Sequence, residues 1–215
     1  EQRNPAHTLP SFVLVGDTPA ENGFLPIQNA PFKLEENGAI RNINHYWNGG
    51  ENRFSLLSSL RKAAYADPRD DYQTQQLDAR RIMLDPNVHN FFGASNGEEE
   101  ESPNAEGAFI TACRSAVKVL EANLGTRVLQ LQLGGWDHHS NIYQDDSLFG
   151  LSRSLDQGLA LLINELESKP GLNGGTLLDE TLIVAAGEFG RTVANLNSDN
   201  GPDHHHYVLP PFFTG

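Results

Sequence analysis

Residues 127–139, RVLQLQLGGWDHH, place side chains that can bind a metal directly after a strand-like run. The alternation of apolar residues and glutamines predicts a strand over 127–133. The two glycines that follow allow the backbone to bend sharply beyond it. In an extended segment, side chains two positions apart point the same way. Asp137 and His139 can therefore address one ion while the histidine between them turns away.

Helix-like and strand-like segments alternate around this junction. Helices are predicted over 107–123 and 151–168; in the second, leucines recur at three- and four-residue steps and form one apolar face. The run 181–187, TLIVAAG, is apolar on both faces, which is typical of a central strand in a parallel sheet. The predicted strands are 11–16, 127–133, 181–187 and 207–213. This alternation predicts an α/β fold with a mostly parallel sheet and right-handed crossovers.

The pattern changes at about residue 107. The segment 1–106 is dense in Gly, Pro and Asn, with helices predicted at 53–66 and 72–90 and a break in the second at Pro86. We expect 1–106 to be an irregular and helical flanking or cap region of the same domain. Residues 107–215 are then the α/β core that carries the polar loops.

Charge and composition exclude several classes of function. The net charge of −13 argues against nucleic acid and anionic membranes as partners, because phosphate binding needs clustered Lys and Arg. No run of about 18 apolar residues occurs, so no transmembrane helix is predicted. Cys113 is the only cysteine, which excludes an intrachain disulfide and a cysteine-based zinc site.

Two more polar loops accompany the first one. GEFGRT (187–192) follows the predicted strand 181–187, and GPDHHHY (201–207) leads into the next strand. Because ligands of open parallel sheets bind beyond the carboxyl ends of the strands, we expect the three loops to share one site. The side chains that they offer are Asp137, His138, His139, Glu188, Arg191, Asp203, His204, His205 and His206. Asp and neutral His suit zinc, manganese, iron or calcium, depending on mix and geometry.

Each loop also has a simpler explanation. An Asp–His pair in a loop often makes a local hydrogen bond or a cap. Glu188 and Arg191 can form a salt bridge at the end of a strand. A purely structural role for the histidine loops therefore stays open beside metal binding. Nucleophile-elbow and phosphate-loop signatures are missing from the sequence.

Three motifs occur in the order seen in a known family: LGGWDHHSN (133–141), LLDETLIVAAGEFGRT (177–192) and GPDHHHYVLPPFFTG (201–215). With them the chain resembles the bacterial proteins catalogued as domain of unknown function 1501, a branch of the alkaline phosphatase and sulfatase superfamily. The resemblance implies a three-layer, doubly wound, mostly parallel, alkaline phosphatase-like α/β fold with a metal site at its strand ends. It also implies that the chain is the middle and C-terminal part of such a protein, incomplete at the N-terminus, with the nucleophile elsewhere.

The resemblance also assigns roles to individual residues. Phe189 stands where the superfamily often has a histidine ligand, which leaves a second metal site incomplete. A divalent metal is implied, with zinc as the first expectation and manganese, iron or calcium as alternatives. The implied metal ligands are Asp137, His139, Glu188, Asp203 and His204, and the implied catalytic residues are Glu188 and Arg191, whose guanidinium suits an anionic group.

The implied function is metal-dependent hydrolysis of phosphate or sulfate esters. The substrate would be an anionic small molecule or a glycan ester. Because a fold does not fix a function, a non-catalytic metal- or glycan-binding module on the same fold is the alternative. Relatives often carry twin-arginine signals, which implies a periplasmic or secreted location.

Overall fold

A computed structural model describes residues 9–16, 32–36, 38, 82, 85–86, 88, 105–142, 147–187, 189–192, 196–205 and 212–214. Within these residues the protein is a mixed α/β chain with a parallel three-stranded sheet and two long helices. The chain divides into two compact units, one of Glu1–Pro103 with Arg114–Gln132 and one of Asn104–Cys113 with Leu133–Gly215. The division expected between 1–106 and 107–215 stays a prediction.

The first unit contains the parallel sheet. Its strands are β1 (Phe12–Val15), β2 (Phe32–Leu34) and β3 (Val128–Leu131), in the order β2-β1-β3. Both neighbours run parallel to β1, so that Val15 pairs with Leu34 on one side and with Leu131 on the other. Val13, Leu14 and Val15 are fully buried, as expected for a central parallel strand that is covered on both faces. The strands predicted at 11–16 and 127–133 are confirmed.

Among the described residues, the run 181–187 has no parallel neighbour of the kind that its composition predicted. It contains β4 (Ile183–Ala185), which pairs antiparallel with β7 (Phe212–Thr214). Parallel strands need a long crossover, usually a helix. The described part of the connection from β4 to β7 instead carries two short strands that pair antiparallel, β5 (Gly190–Arg191) and β6 (His204–His205). The prediction of a central parallel strand at 181–187 is therefore wrong for the described residues.

The composition of β4 predicts a core strand, but one residue of β4 and the residue before the strand are largely exposed. Val184 is 53% exposed and the preceding Leu182 is 72% exposed. The final strand, predicted at 207–213, is described only in part. It covers Phe212–Thr214, whereas 206–211 lie outside the described residues.

The two predicted helices of the C-terminal half are confirmed and slightly shifted. They are α1 (Ala105–Ala122) and α2 (Ser147–Ser168). The chain leaves α1 through Asn123 and Gly125, both with positive φ, a backbone conformation that commonly ends helices. Leu166 is fully buried, in keeping with the apolar face predicted for α2. None of the described helices is long and apolar enough to cross a membrane.

The earlier helix predictions fall mostly outside the described residues. All of 53–66 does so. Within 72–90, Ile82, Pro86 and Val88 are helical, whereas Asp85 is not. This interruption fits a helix that stops before a proline, since proline cannot donate the hydrogen bond that would continue it.

Candidate metal centre

Three loops of the second unit form the candidate site, and backbone hydrogen bonds connect them. The β5–β6 pair sets Arg191 opposite His204. The pair is extended by Thr192, whose backbone N–H donates to the Asp203 carbonyl at 2.9 Å. The loop after β3 joins the same assembly, because the Asn141 N–H donates to the Asp199 carbonyl at 2.8 Å. The polar residues of the three loops are thus held together by main-chain contacts.

Asp137, His139 and His204 bring one ligand atom each to a common point. The Nε2 atom of His139 lies 2.9 Å from Asp137 Oδ1 and 3.1 Å from His204 Nε2. His204 Nε2 lies 3.3 Å from the same Asp137 oxygen. Zinc at about 2.0–2.2 Å from four tetrahedral ligands separates those ligands by about 3.3–3.6 Å. The three atoms form a triangle only slightly tighter than one face of such a tetrahedron.

These three residues form the candidate metal group among the described residues. All three side chains are exposed, by 70% for Asp137, 44% for His139 and 50% for His204. A set of two imidazoles and one carboxylate suits zinc, manganese or iron better than calcium, which prefers oxygen ligands throughout. An Asp and two His of this cluster can hold a metal ion whose identity the geometry does not fix.

Arg191 directs its guanidinium at the same cluster. One terminal nitrogen forms an ion pair with Asp137 Oδ1, and the other lies 3.3 Å from His139 Nε2. Arginine can only donate, so in this contact His139 Nε2 is the acceptor. The Phe189 ring supports the guanidinium, whose central carbon is 5.4 Å from the ring centroid.

The guanidinium also changes the acidity of its partner. The hydrogen bond from Arg191 lowers the pKa of Asp137 from 3.8 to about 2, with a further contribution from the hydrogen bond of His204. Asp137 is therefore ionised at neutral pH. An ionised carboxylate is the form that binds a cation.

Asp203, another of the predicted ligands, lies beside His139. Its Oδ1 atom lies 3.8 Å from Nδ1 of His139, across the ring from the nitrogen that joins the cluster. This separation is too long for a hydrogen bond, so the contact is electrostatic. Asp203 is not in the candidate metal group of the described residues, and its assignment as a ligand stays a prediction.

Glu188, predicted both as a ligand and as a catalytic residue, lies outside the described residues, as does His206. Neither His138 nor His205 belongs to the candidate metal group. Of the five predicted ligands, the structure brings together Asp137, His139 and His204, and it adds Arg191 at their side.

Sequence reasoning missed two residues that shape the site. Phe189 was noted only as a residue that cannot bind a metal. Its ring packs against His204 with centroids 4.1 Å apart. Asn197 was not singled out, although it contacts both His139 and Asp203. The only signal for Asn197 is its position in the turn-rich segment NSDNG (197–201), because Asn, Asp and Gly favour turns whose side chains bond the backbone.

Comparison with known proteins gives one informative result. Neither a search of curated proteins nor a search of solved structures finds a match to the chain. The model of one protein family matches residues 2–215, almost the full length. The chain therefore belongs to the family described as protein of unknown function (DUF1501).

Proposed function

We propose that the chain carries the metal centre of a metal-dependent hydrolase of phosphate or sulfate esters. The observation that carries this proposal is the convergence of Asp137, His139 and His204, with Arg191 beside them. Membership of the alkaline phosphatase and sulfatase superfamily, with its three-layer doubly wound fold and a periplasmic or secreted location, is part of the proposal. Zinc is the first candidate for the metal.

The donor set supports a catalytic rather than a structural metal. Structural zinc sites are usually closed by four protein ligands, whereas catalytic sites have three and keep one position open. Among the described residues three candidate ligands converge, and all of them are exposed. A divalent ion held by these side chains would supply Lewis-acid polarisation of a phosphoryl or sulfuryl oxygen.

The remaining chemistry comes from side chains of the chain. Arg191, whose two terminal nitrogens contact Asp137 and His139, would bind a phosphate or sulfate group by exchanging these contacts for two oxygens of that group. Its packing on Phe189 limits the orientations of the guanidinium, which favours one approach of the substrate. Asp137 has two oxygens with about four acceptor positions, so it can serve the ion and Arg191 together.

A second candidate is a non-catalytic metal- or glycan-binding module. The exposure of the cluster favours it, since Asp137 is 70% exposed and hydrolytic sites usually exclude bulk water to strengthen their electrostatics. Such a module would bind a divalent ion through the same three residues without turning over an ester.

Metal binding and turnover separate these possibilities. Elemental analysis and zinc titration are carried out on the parent, on His139→Ala and on His204→Ala, with His138→Gln as the matched control from the same loop. The proposal expects one bound ion per chain in the parent and in the control, and loss of that ion in both alanine variants. An ion that survives both substitutions would refute the site.

Hydrolysis of an aryl phosphate and an aryl sulfate by the longer natural protein, which would supply the nucleophile, is then measured with each common divalent ion. The proposal expects turnover that the His139→Ala variant lacks. Metal binding without any turnover would reject the hydrolase in favour of the binding module.

A further inference from the structure

We infer that Asn197 is a positioning residue that aligns His139 with the metal cluster, an inference that rests on the proposed function. Asn197 lies seven residues before His204 in sequence, and its side chain is half-buried. It does not contribute a metal ligand. Its role is to connect the loop that carries His204 to the loop that carries His139.

The amide oxygen of Asn197 shapes its own loop. It accepts hydrogen bonds from the backbone N–H groups of Asp199 and Gly201, both at 3.0 Å. The backbone of Asn197 closes the same turn, because its N–H donates to the Gly201 carbonyl at 2.9 Å. This Asx-type turn fixes the segment that precedes His204.

The amide nitrogen of Asn197 reaches across to the other side of the site. It donates to the His139 carbonyl at 2.9 Å and to Asp203 Oδ1 at 3.2 Å. The amide has two donors and one oxygen with two lone pairs, so all its hydrogen-bonding capacity is used. The reversed amide orientation would point the NH₂ group at two N–H donors, which excludes it.

Both donated bonds act on His139. One holds its main chain, and the other holds the carboxylate that faces its Nδ1 atom at 3.8 Å. The Nε2 atom of the same ring lies 2.9 Å from Asp137 Oδ1 and 3.1 Å from His204 Nε2. Asn197 thus holds the main chain of His139 directly, and it holds the carboxylate of Asp203 beside the His139 ring.

The main chains of the two loops lie in close contact. Gly201 lies directly against the His139 main chain. Its backbone N–H is one of the two donors to the Asn197 amide oxygen. An isolated bridge between Ser140 and Asn200 continues the contact. The amide of Asn197 therefore lies where the two loops come closest.

The test compares Asn197→Asp and Asn197→Ala with the parent, using Zn²⁺ and Co²⁺ titration of the full chain and the visible spectrum of the Co²⁺ form. Asn197→Asp keeps both accepted bonds and loses both donated bonds. Asn173→Ala is the control, because the recorded hydrogen bond of Asn173 uses its backbone N–H and survives the substitution.

Loss of an outer-shell partner typically weakens metal binding about 10–100-fold. We expect Asn197→Asp to weaken metal binding by this factor and to alter the Co²⁺ spectrum. The weakening is expected even though the added negative charge by itself would attract the cation. Unchanged affinity and an unchanged spectrum would overturn the inference.

Hydrogen exchange of the metal-free protein separates failure of this inference from failure of the proposed function. The amides of Asn141 and Ile142 donate to the carbonyls of Asp199 and Asn200, so they report the contact between the loops. If the parent binds no metal, the proposed function fails. Faster exchange at these two amides in Asn197→Asp then supports the positioning role, and unchanged exchange rejects it.

Discussion

Replacing Gly201 by alanine tests whether the cluster depends on the close approach of the two loops. A Cβ atom at Gly201 would lie closer than 3.0 Å to the carbonyl carbon and oxygen of His139 and to the backbone nitrogen of Ser140. All three are backbone atoms, so no side chain can rotate away. Because ordinary contact begins at 3.4 Å, the loops must separate by at least 0.4 Å, the difference between 3.4 and 3.0 Å.

That separation is large for a metal site. Ligand distances in a functional site hold to within about 0.2 Å. A movement of His139 by twice that amount pulls its Nε2 atom away from Asp137 and His204. We expect Gly201→Ala to weaken zinc binding at least as much as loss of an outer-shell partner does, by about 10–100-fold.

Isothermal titration with Zn²⁺ measures the effect, and Gly134→Ala provides the matched control. A Cβ atom at Gly134 would meet no atom within 4 Å, and the φ angle there is not in the left-handed region. The control should bind zinc like the parent. Equal zinc affinity for Gly201→Ala and the parent would refute the close approach of the loops on which the site is built.

Three further predictions concern charge and packing. Arg191→Met should raise the pKa of Asp137 from about 2 toward 3.8, as measured by NMR titration, because the main hydrogen bond that stabilises the carboxylate is lost. In the parent, the lowered pKa of Asp137 contributes stability above pH 3.8, and this stability is lost as the pH falls toward 2. The contribution should shrink in the variant. An unchanged pKa would contradict the ion pair. Gly158→Ala should lower the free energy of unfolding, measured by urea denaturation, by about 1–3 kcal/mol, because the added Cβ would lie 2.5 Å from the Phe109 ring. A stabilised variant would show that the helices pack more loosely. Burial raises the pKa of the Cys113 thiol to about 12, so the thiol should react with a disulfide reagent at pH 8 only after unfolding. Rapid reaction of the native protein would contradict the burial of Cys113.

Part of the candidate site could be predicted from the sequence, because its candidate ligands lie in short stretches rich in metal-binding residue types. Asp137 and His139 are two residues apart in a segment opened by glycines, and His204 stands in a histidine run. Metal-binding residue types that cluster in this way are visible without coordinates. The contacts of Asp203 and Asn197 were not predictable, because the sequence does not show whether a carboxylate or amide lies beside a ligand, binds the metal or caps a turn.

The sequence by itself determined the elements whose pattern is local. The leucine spacing of α2 and the apolar run of β1 identified a helix and a strand correctly, because periodicity reports which faces are buried. Only the tertiary structure decided the partner of each strand. The run that contains β4 reads as a core strand but pairs antiparallel with β7, since pairing depends on how the connecting chain returns. The meeting of His139 with His204, 65 residues apart in sequence, likewise depends on that return path and on the contacts of Asn197 and Gly201 across it.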